Sequence, residues 1–525
     1  MQESQGWIRS AGAMSGITLV SRITGYARDC AQTFFLGAGF SSDAFVIAFR
    51  IPNLLRRLVG EGEMTAAFVP VFTRYLQGKD RREIWRFAGA AFYALALILT
   101  LITIAGIFLS PLLVRALALG FQADSDLWNL TVSLNRLMFP YILFIGLAAL
   151  AMAILNSLRS FAFPALSPVL LNLTIIAAAL FIAPRLSEPA YGFAIGVLVG
   201  GAIQLLYQIP VLARKGMNFR PHLDLRHPGI RKVGRLMIPG LFGAGVTQLN
   251  IVIDSQFASW LQPGSVSYLY YAIRVTELAL GVFAISVSTV MLPTLSAAAA
   301  RGQIAKVREI LSQALRLIGF ITLPATVGLV LLRMPIINVL FERGKFDAGA
   351  TEQTAYALQF YAVGLFFFAA VKVFAPAFYA FQDMVTPVKI GAVVFLFHIG
   401  LNFLLIGPLG HGGVALSTSI SASLNFALLG IFYVRRRGGL SWDETLAGLV
   451  RTLAAAAAMG VVILLLEQVW PFQMGGPLVW RAMHLLAVIA AGAAVFVGGA
   501  ALLGSRELRE LAGAFRGRRR GGGED

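Results

Sequence analysis

The residues of this chain with chemistry to offer are charged groups set in apolar surroundings. Arg22, Arg28 and Asp29 lie in the first long apolar run, Asp43, Arg50, Arg56, Arg57 and Glu61 in the second, Asp254 in the seventh, and Arg274 with Glu277 in the eighth. An ionised side chain inside hydrocarbon costs a few kcal/mol or more, so such groups face a cavity or a partner. At about 100° per residue, Asp43, Arg50, Arg57 and Glu61 fall within about 20° of one line along the second run, and Asn53 lies about 60° from it. Pro52 interrupts that stripe and kinks the helix. Arg22 has no acid four residues away on either side. Plainer roles stay open for two pairs: Arg57 and Glu61 at i,i+4 as a helix-holding ion pair, and Arg28 beside Asp29 at headgroup level. Across the first, second and eighth runs arginine outnumbers acid. A cavity with surplus guanidinium favours an anion, above all phosphate, which arginine contacts through two parallel hydrogen bonds.

Other chemistry finds little support. Cys30 is the single cysteine, and the five histidines show neither His-x-x-x-His spacing nor a Cys-x-x-Cys partner motif. No Gly-x-x-x-x-Gly-Lys-Ser/Thr loop is present to power transport by ATP, which leaves an ion gradient, the membrane potential or the substrate's own gradient. No nucleophile-base pair or carboxylate dyad with supporting spacing stands out, so the chain reads as a non-enzyme without a cofactor.

The elements that must position these charges are membrane spans. Of 525 residues, 58% are hydrophobic and 13% charged, against about half and a quarter in ordinary soluble proteins. Apolar runs centre near residues 20, 55, 100, 143, 172, 200, 247, 282, 323, 365, 395, 423, 458 and 492, which predicts fourteen transmembrane helices. The first run lacks the basic start and small-residue cleavage site of a signal peptide and reads as a retained helix. Lys and Arg concentrate after the even-numbered runs: at 74–82, 214–232, 301–308, 435–437 and 516–520. Both termini are therefore expected in the cytoplasm. The net charge of +18 is then mostly loop charge attracted to anionic lipid, and the Arg516–Arg520 cluster needs no nucleic acid to explain it.

Matched residues recur at a steady offset: Asp29 with Asp254, Gly39 with Gly264, Arg50 with Arg274, Pro111 with Pro335, Gly120 with Gly344 and Pro164 with Pro387, all separated by nearly the same length of chain. The offset spans six helices, so both copies share one orientation. The expected architecture is all-α and polytopic: two six-helix lobes, 1–220 and 221–438, related by a parallel pseudo-two-fold repeat, then two further helices in 439–505 and a basic tail in 506–525. Such folds place substrate between the lobes and rock one against the other.

The segment Ser21-Arg-Ile-Thr-Gly-Tyr-Ala-Arg-Asp29, followed by Phe35-Leu-Gly-Ala-Gly39, Ser42-Asp-Ala-Phe45, Arg50-Ile-Pro-Asn-Leu-Leu-Arg-Arg57 and Gly60-Glu-Gly62, resembles the opening of the MurJ (MviN) family of lipid II flippases. Gly264-Ser-Val-Ser-Tyr268, Tyr270-Tyr-Ala272, Leu292-Pro-Thr-Leu-Ser296 and Phe341-Glu-Arg-Gly-Lys-Phe346 extend the resemblance to about Arg437. It implies a relative of MATE transporters in the bacterial inner membrane. The implied task is moving undecaprenyl-pyrophosphate-linked peptidoglycan precursor from the cytoplasmic to the periplasmic leaflet, with lipid II, membrane lipids and other cell-wall synthesis proteins as partners. By motif, the cavity arginines become Arg22, Arg28, Arg56 and Arg274, with Asp43 and Glu61 as acidic partners; the residues themselves leave Arg57, Asp29 and Glu277 as gating or helix-pairing groups. The helices of 439–505 would line a groove for the lipid tail.

Two departures stand out. Ile273 precedes Arg274 where the family often has Asp, so any gating pair must use Glu277 or another acid. Asp254, Asn402 and Thr418 match three ligands of a sodium site found in some members, but Ile406 replaces a fourth, so the site is expected to be degenerate. Asp254 as a neutral packing group stays open, and coupling to the membrane potential or a monovalent ion is the expected energy source. Three other functions compete. A flippase for another polyprenyl-pyrophosphate glycan, of O-antigen type, shares the anion chemistry. A MATE-like multidrug or cation antiporter would want an acid-rich cavity, and a membrane scaffold would tolerate loss of every cavity arginine.

Overall fold

The structure, a computed structural model, describes residues 2–60, 63–219, 223–439 and 441–520, and side chains within these except at 2–15, 55, 57–60, 63, 162, 239–247, 282–290 and 514–520. Every regular element among the described residues is helical. In chain order these are α1 (Gln2–Leu36), α2 (Phe40–Gly60), α3 (Glu63–Gly78), α4 (Arg81–Phe108), α5 (Ser110–Leu117), α6 (Asp126–Met138) and α7 (Tyr141–Ser157). Next come α8 (Ala162–Phe181), α9 (Ala190–Leu206), α10 (Ile209–Lys215), α11 (Pro228–Ser259), α12 (Ser265–Ala300), α13 (Ile304–Leu331) and α14 (Arg333–Phe341). The chain closes with α15 (Ala348–Val363), α16 (Leu365–Ala380), α17 (Val385–Leu409), α18 (His411–Arg437), α19 (Trp442–Val469), α20 (Leu478–Leu502) and α21 (Arg506–Arg520).

Local chemistry sets several boundaries. The Asp80 carboxylate accepts the Glu83 N–H at 2.8 Å and starts α4; the Ser125 hydroxyl accepts the Trp128 N–H at 3.2 Å and starts α6. Each supplies an acceptor to an N–H left without an intrahelical partner. Gly216, at φ +107°, ends α10 in the left-handed conformation that glycine tolerates. Helix order repeats as well as residues. The pair α4–α5 recurs as α13–α14, α8 recurs as α17 at the same offset, and the broken helix α6–α7 recurs as α15–α16.

Among the described residues, nine helical segments are long and apolar enough to cross a bilayer, ten if α15 and α16, bent by 43°, count as one span. The other expected centres, near 20, 55, 247 and 282, fall in α1, α2, α11 and α12. In α1 and α2 the apolar character is diluted by Arg22, Arg28 and Asp29 and by Asp43, Arg50 and Arg56. Large apolar side chains stay exposed along the helices, Phe108 at 77% and Leu396 and Leu404 at 69%. Hydrocarbon accepts such faces without penalty where water would not. The protein is a multi-pass membrane protein.

The chain forms two compact units, Met1–Ser267 with Arg343–Asp347, and Tyr268–Glu342 with Ala348–Asp525. In the first, α11 packs against α3 and α2, although the sequence division at 220/221 assigns α11 to the second lobe. Its aromatic core includes Phe68, Phe72 and Phe87, with ring centroids 5.2 to 6.2 Å apart. In the second, α19 packs on α13 and α20 on α19 around Phe320, Ala456, Met459, Val488 and Phe496. The segment expected to be a basic tail starts with a docked helix. Glu507 of α21 is buried and meets Arg316 of α13 at 3.2 Å, while Arg316 also reaches Glu444 of α19 at 3.1 Å.

Candidate functional site

Arg28 is the most tightly held of the expected cavity arginines. Its Nε and Nη2 donate to Asp29 Oδ1 at 3.1 and 2.6 Å, and its Nη1 donates to Asn172 Oδ1 on α8 at 3.2 Å. The Asn172 amide reaches back to the Ser21 carbonyl and the Thr24 hydroxyl of α1, each at 3.4 Å. The side chains of Arg28 and Asp29 are only 12% and 10% exposed. A guanidinium so placed has its plane fixed in advance by a carboxylate and an amide. Arg22, more than a turn earlier on α1, is half-buried.

Helix α2 divides its polar stripe between two tasks. Asp43 is fully buried, and its carboxylate accepts the Gly264 N–H at 2.6 Å, the Ser267 N–H at 2.8 Å and the Ser267 hydroxyl at 2.6 Å. Both oxygens are thereby used on the opening turn of α12, where a negative group also meets the positive end of the helix dipole. Arg50 donates to the Ile251 carbonyl at 3.3 Å and to the Ser255 hydroxyl of α11. These two residues lock helices together. Beyond Pro52, Arg56 donates from Nε to Asn53 Oδ1 at 3.0 Å. The side chain of Arg57 and all of Glu61 lie outside the described residues.

In the second unit, Arg274 donates to Glu277 Oε2 at 3.1 Å and to the Tyr270 hydroxyl at 3.3 Å, with its guanidinium carbon 5.3 Å from the Tyr270 ring centre. Glu277, the acid left by Ile273, thus pairs with Arg274 along the helix. The two side chains are 29% and 47% exposed, which keeps the pair weak and exchangeable.

The residues matched to a sodium site divide between the units, Asp254 in the first and Asn402 with Thr418 in the second. Asn402 is buried, and its amide nitrogen lies 3.1 Å from His398 Nε2, while His398 Nδ1 lies 3.1 Å from the Ser421 hydroxyl. An amide N–H can only donate, so Nε2 accepts and the ring proton faces Ser421. The Asn402 carbonyl oxygen is buried without a hydrogen-bond partner among the described residues. Thr418 donates to the Val414 carbonyl of its own helix at 3.0 Å. Among the described residues no group of three His, Cys, Asp or Glu is placed to hold a metal ion. Sequence reasoning missed His398, whose only signal is its position four residues before Asn402, and Asn172, whose partner lies 144 residues away.

Residues 33–481 match the family model described as lipid II flippase MurJ. A probable lipid II flippase MurJ of Vibrio cholerae is 36% identical, covering 97% of this chain and 98% of the relative; a lipid II flippase MurJ of Burkholderia cenocepacia is 38% identical over 82% and 84%. Among solved structures, a lipid II flippase MurJ in an inward closed conformation matches with a TM-score of 0.77 at 28% identity, covering 95% of this chain and 99% of that one. An inward-facing multidrug resistance MATE transporter of the MOP superfamily, 16% identical over 82% of this chain and 94% of its own, shares the fold with a TM-score of 0.62. From its family match, its relatives and its fold, this chain belongs to the lipid II flippase MurJ family.

Proposed function

We propose that this chain carries lipid II from the cytoplasmic to the periplasmic leaflet by alternating access, with Arg22, Arg28, Arg56 and Arg274 taking the pyrophosphate. The family is one of transporters rather than catalysts. The observation that carries the reading is the surplus of guanidinium on α1, α2 and α12. The fourteen spans, cytoplasmic termini and lobes of 1–220 and 221–438 belong to the same reading, as does the tail groove of 439–505. Arg28 would bind as a preset fork and Arg274 as a side chain that leaves Glu277 for the substrate. An inside-negative potential acts at about 2.3 kcal/mol per charge per 100 mV, enough to help expel a dianion or reset a positive cavity. A monovalent cation is the other candidate for coupling.

The test is depletion of the host's own flippase with rescue by this chain. Arg22→Ala and Arg274→Ala should fail to support growth and should accumulate precursor on the cytoplasmic side. Normal exposure of lipid II on the outer face by both variants would sink the assignment.

A further inference from the structure

The Phe341–Phe346 motif has no part in the anion chemistry, yet residues 343–347 sit in the first unit, away from their neighbours in sequence. The Lys345 N–H donates to the Phe34 carbonyl in the last turn of α1 at 2.9 Å. Gly344, at φ +57°, lies against that same carbonyl so closely that a Cβ would overlap it. At the end of α1, Gly37 (φ +67°) lies against the Lys345 backbone, where a Cβ would stand 2.6 Å from its carbonyl oxygen.

The same arrangement occurs a second time, with the halves exchanged. Gly120, the counterpart of Gly344 in the repeat, lies against the carbonyl of Ser259, and a Cβ there would overlap that oxygen. Ser259 in turn is the counterpart of Phe34, at the same offset that pairs Asp29 with Asp254. The Gly120 N–H donates to the Ser259 hydroxyl at 2.9 Å and the Leu119 N–H to Gln256 Oε1 at 2.7 Å. Gln256 returns its amide to the carbonyls of Arg115 and Ala116. So the turn after α5 grips the last turn of α11, and the turn after α14 grips the last turn of α1. Each contact joins one half of the repeat to the other, and each depends on a glycine at the point of closest approach.

We infer that these two turns are reciprocal clasps between the repeat halves, and that both must release each time the transport path opens at this end of α1 and α11. The inference rests on the alternating-access reading. It makes Gly120, Gly344 and Gln256 positioning residues of the transport cycle, none of them touching substrate. A single held clasp suffices to stop the cycle, because each one alone ties the halves.

The experiment uses the full-length chain with Cys30→Ala, which removes the one native thiol, and Phe34→Cys with Lys345→Cys. The backbone hydrogen bond brings these positions within disulfide reach. Oxidation should lower lipid II exposure at least tenfold and a reductant should restore it; equal exposure by the oxidised and reduced protein overturns the clasp. A second measurement needs no transport. In a Cys30→Ala, Ser259→Cys chain, where the native side chain is buried against the turn after α5, Gly120→Ala should speed modification of the thiol by a soluble maleimide roughly five- to tenfold, the value of about one net hydrogen bond. An unchanged rate overturns the clasp too. If the reduced protein exposes no lipid II, the flippase reading falls, and the labelling rate alone decides the clasp. Since the disulfide arm alters neither glycine, misfolding of a glycine variant leaves the test intact.

Discussion

Arg28 and Arg274 are the same residue type with the same expected task, and the fold treats them in opposite ways. Arg28 is almost enclosed and bound on three nitrogens by Asp29 and Asn172. Arg274 is partly exposed and shares its charge with an acid three residues on and a tyrosine below it. A buried charge is stable only while its partners stay in place, whereas an exposed pair gains little and exchanges freely. One site therefore offers rigidity and the other adaptability. On the proposed function, the first suits binding and the second release.

This contrast can be broken by removing the acids. Asp29→Ala leaves the Arg28 guanidinium buried and undercompensated and is expected to destabilise the protein by about 3 kcal/mol, while Glu277→Ala costs under about 1 kcal/mol. Thermal unfolding of the purified variants in detergent measures both, and equal losses would erase the distinction. A smaller effect comes from Asp43, which is more deeply buried than Arg28 but serves a helix terminus. Asp43→Asn keeps the shape while turning one acceptor into a donor that faces N–H groups, at an expected cost of about 2 kcal/mol, read in the same assay.

The smallest effect lies away from the charged helices, in the turn between α16 and α17. Asp383 accepts the Thr386 N–H at 3.0 Å and its hydroxyl at 2.7 Å, and Arg436 of α18 lies at 3.2 Å. The Thr386 amide first, then its hydroxyl, hold this carboxyl below its ordinary range. A carboxyl with a depressed folded value stabilises the fold fully above its unfolded value, and that contribution fades as pH falls through the folded value, below about pH 4. Asp383→Asn should lower stability slightly at neutral pH, flatten the fall on the acid side and converge on the parent chain at low pH. A profile identical to that of the parent chain would remove Asp383 from the account.

Much of this was legible in the residues because hydropathy and repeat spacing are local or nearly periodic signals. The expected span centres all fall within helices of the structure, and the Gly120–Gly344 match marks a real equivalence of position. The function of Asp43 was not legible, since its partners lie 221 and 224 residues away and a carboxylate in an apolar run looks the same whether it caps a helix or faces a cavity. Arg316 escaped notice for a similar reason: the two acids that hold it, Glu444 and Glu507, come from separate helices. The tail likewise read only as a basic, lipid-attracted segment because its charge pattern says nothing of a partner on α13. The breaks at Leu109 and Leu332, which create α5 and α14, are marked in the sequence only by the prolines just past them, Pro111 and Pro335.

The paired turns after α5 and α14 also bear on ancestry. A contact in which patch i of one copy meets patch j of the other, made twice, is what a two-fold dimer of half-length chains would form. Fusion of two such copies into one chain frees each contact to drift alone, because a change in one no longer appears in its twin. Divergence is already visible here: one clasp uses the side chains of Gln256 and Ser259, the other a backbone hydrogen bond from Lys345. The glycines, which sterics alone dictate, are what both have kept.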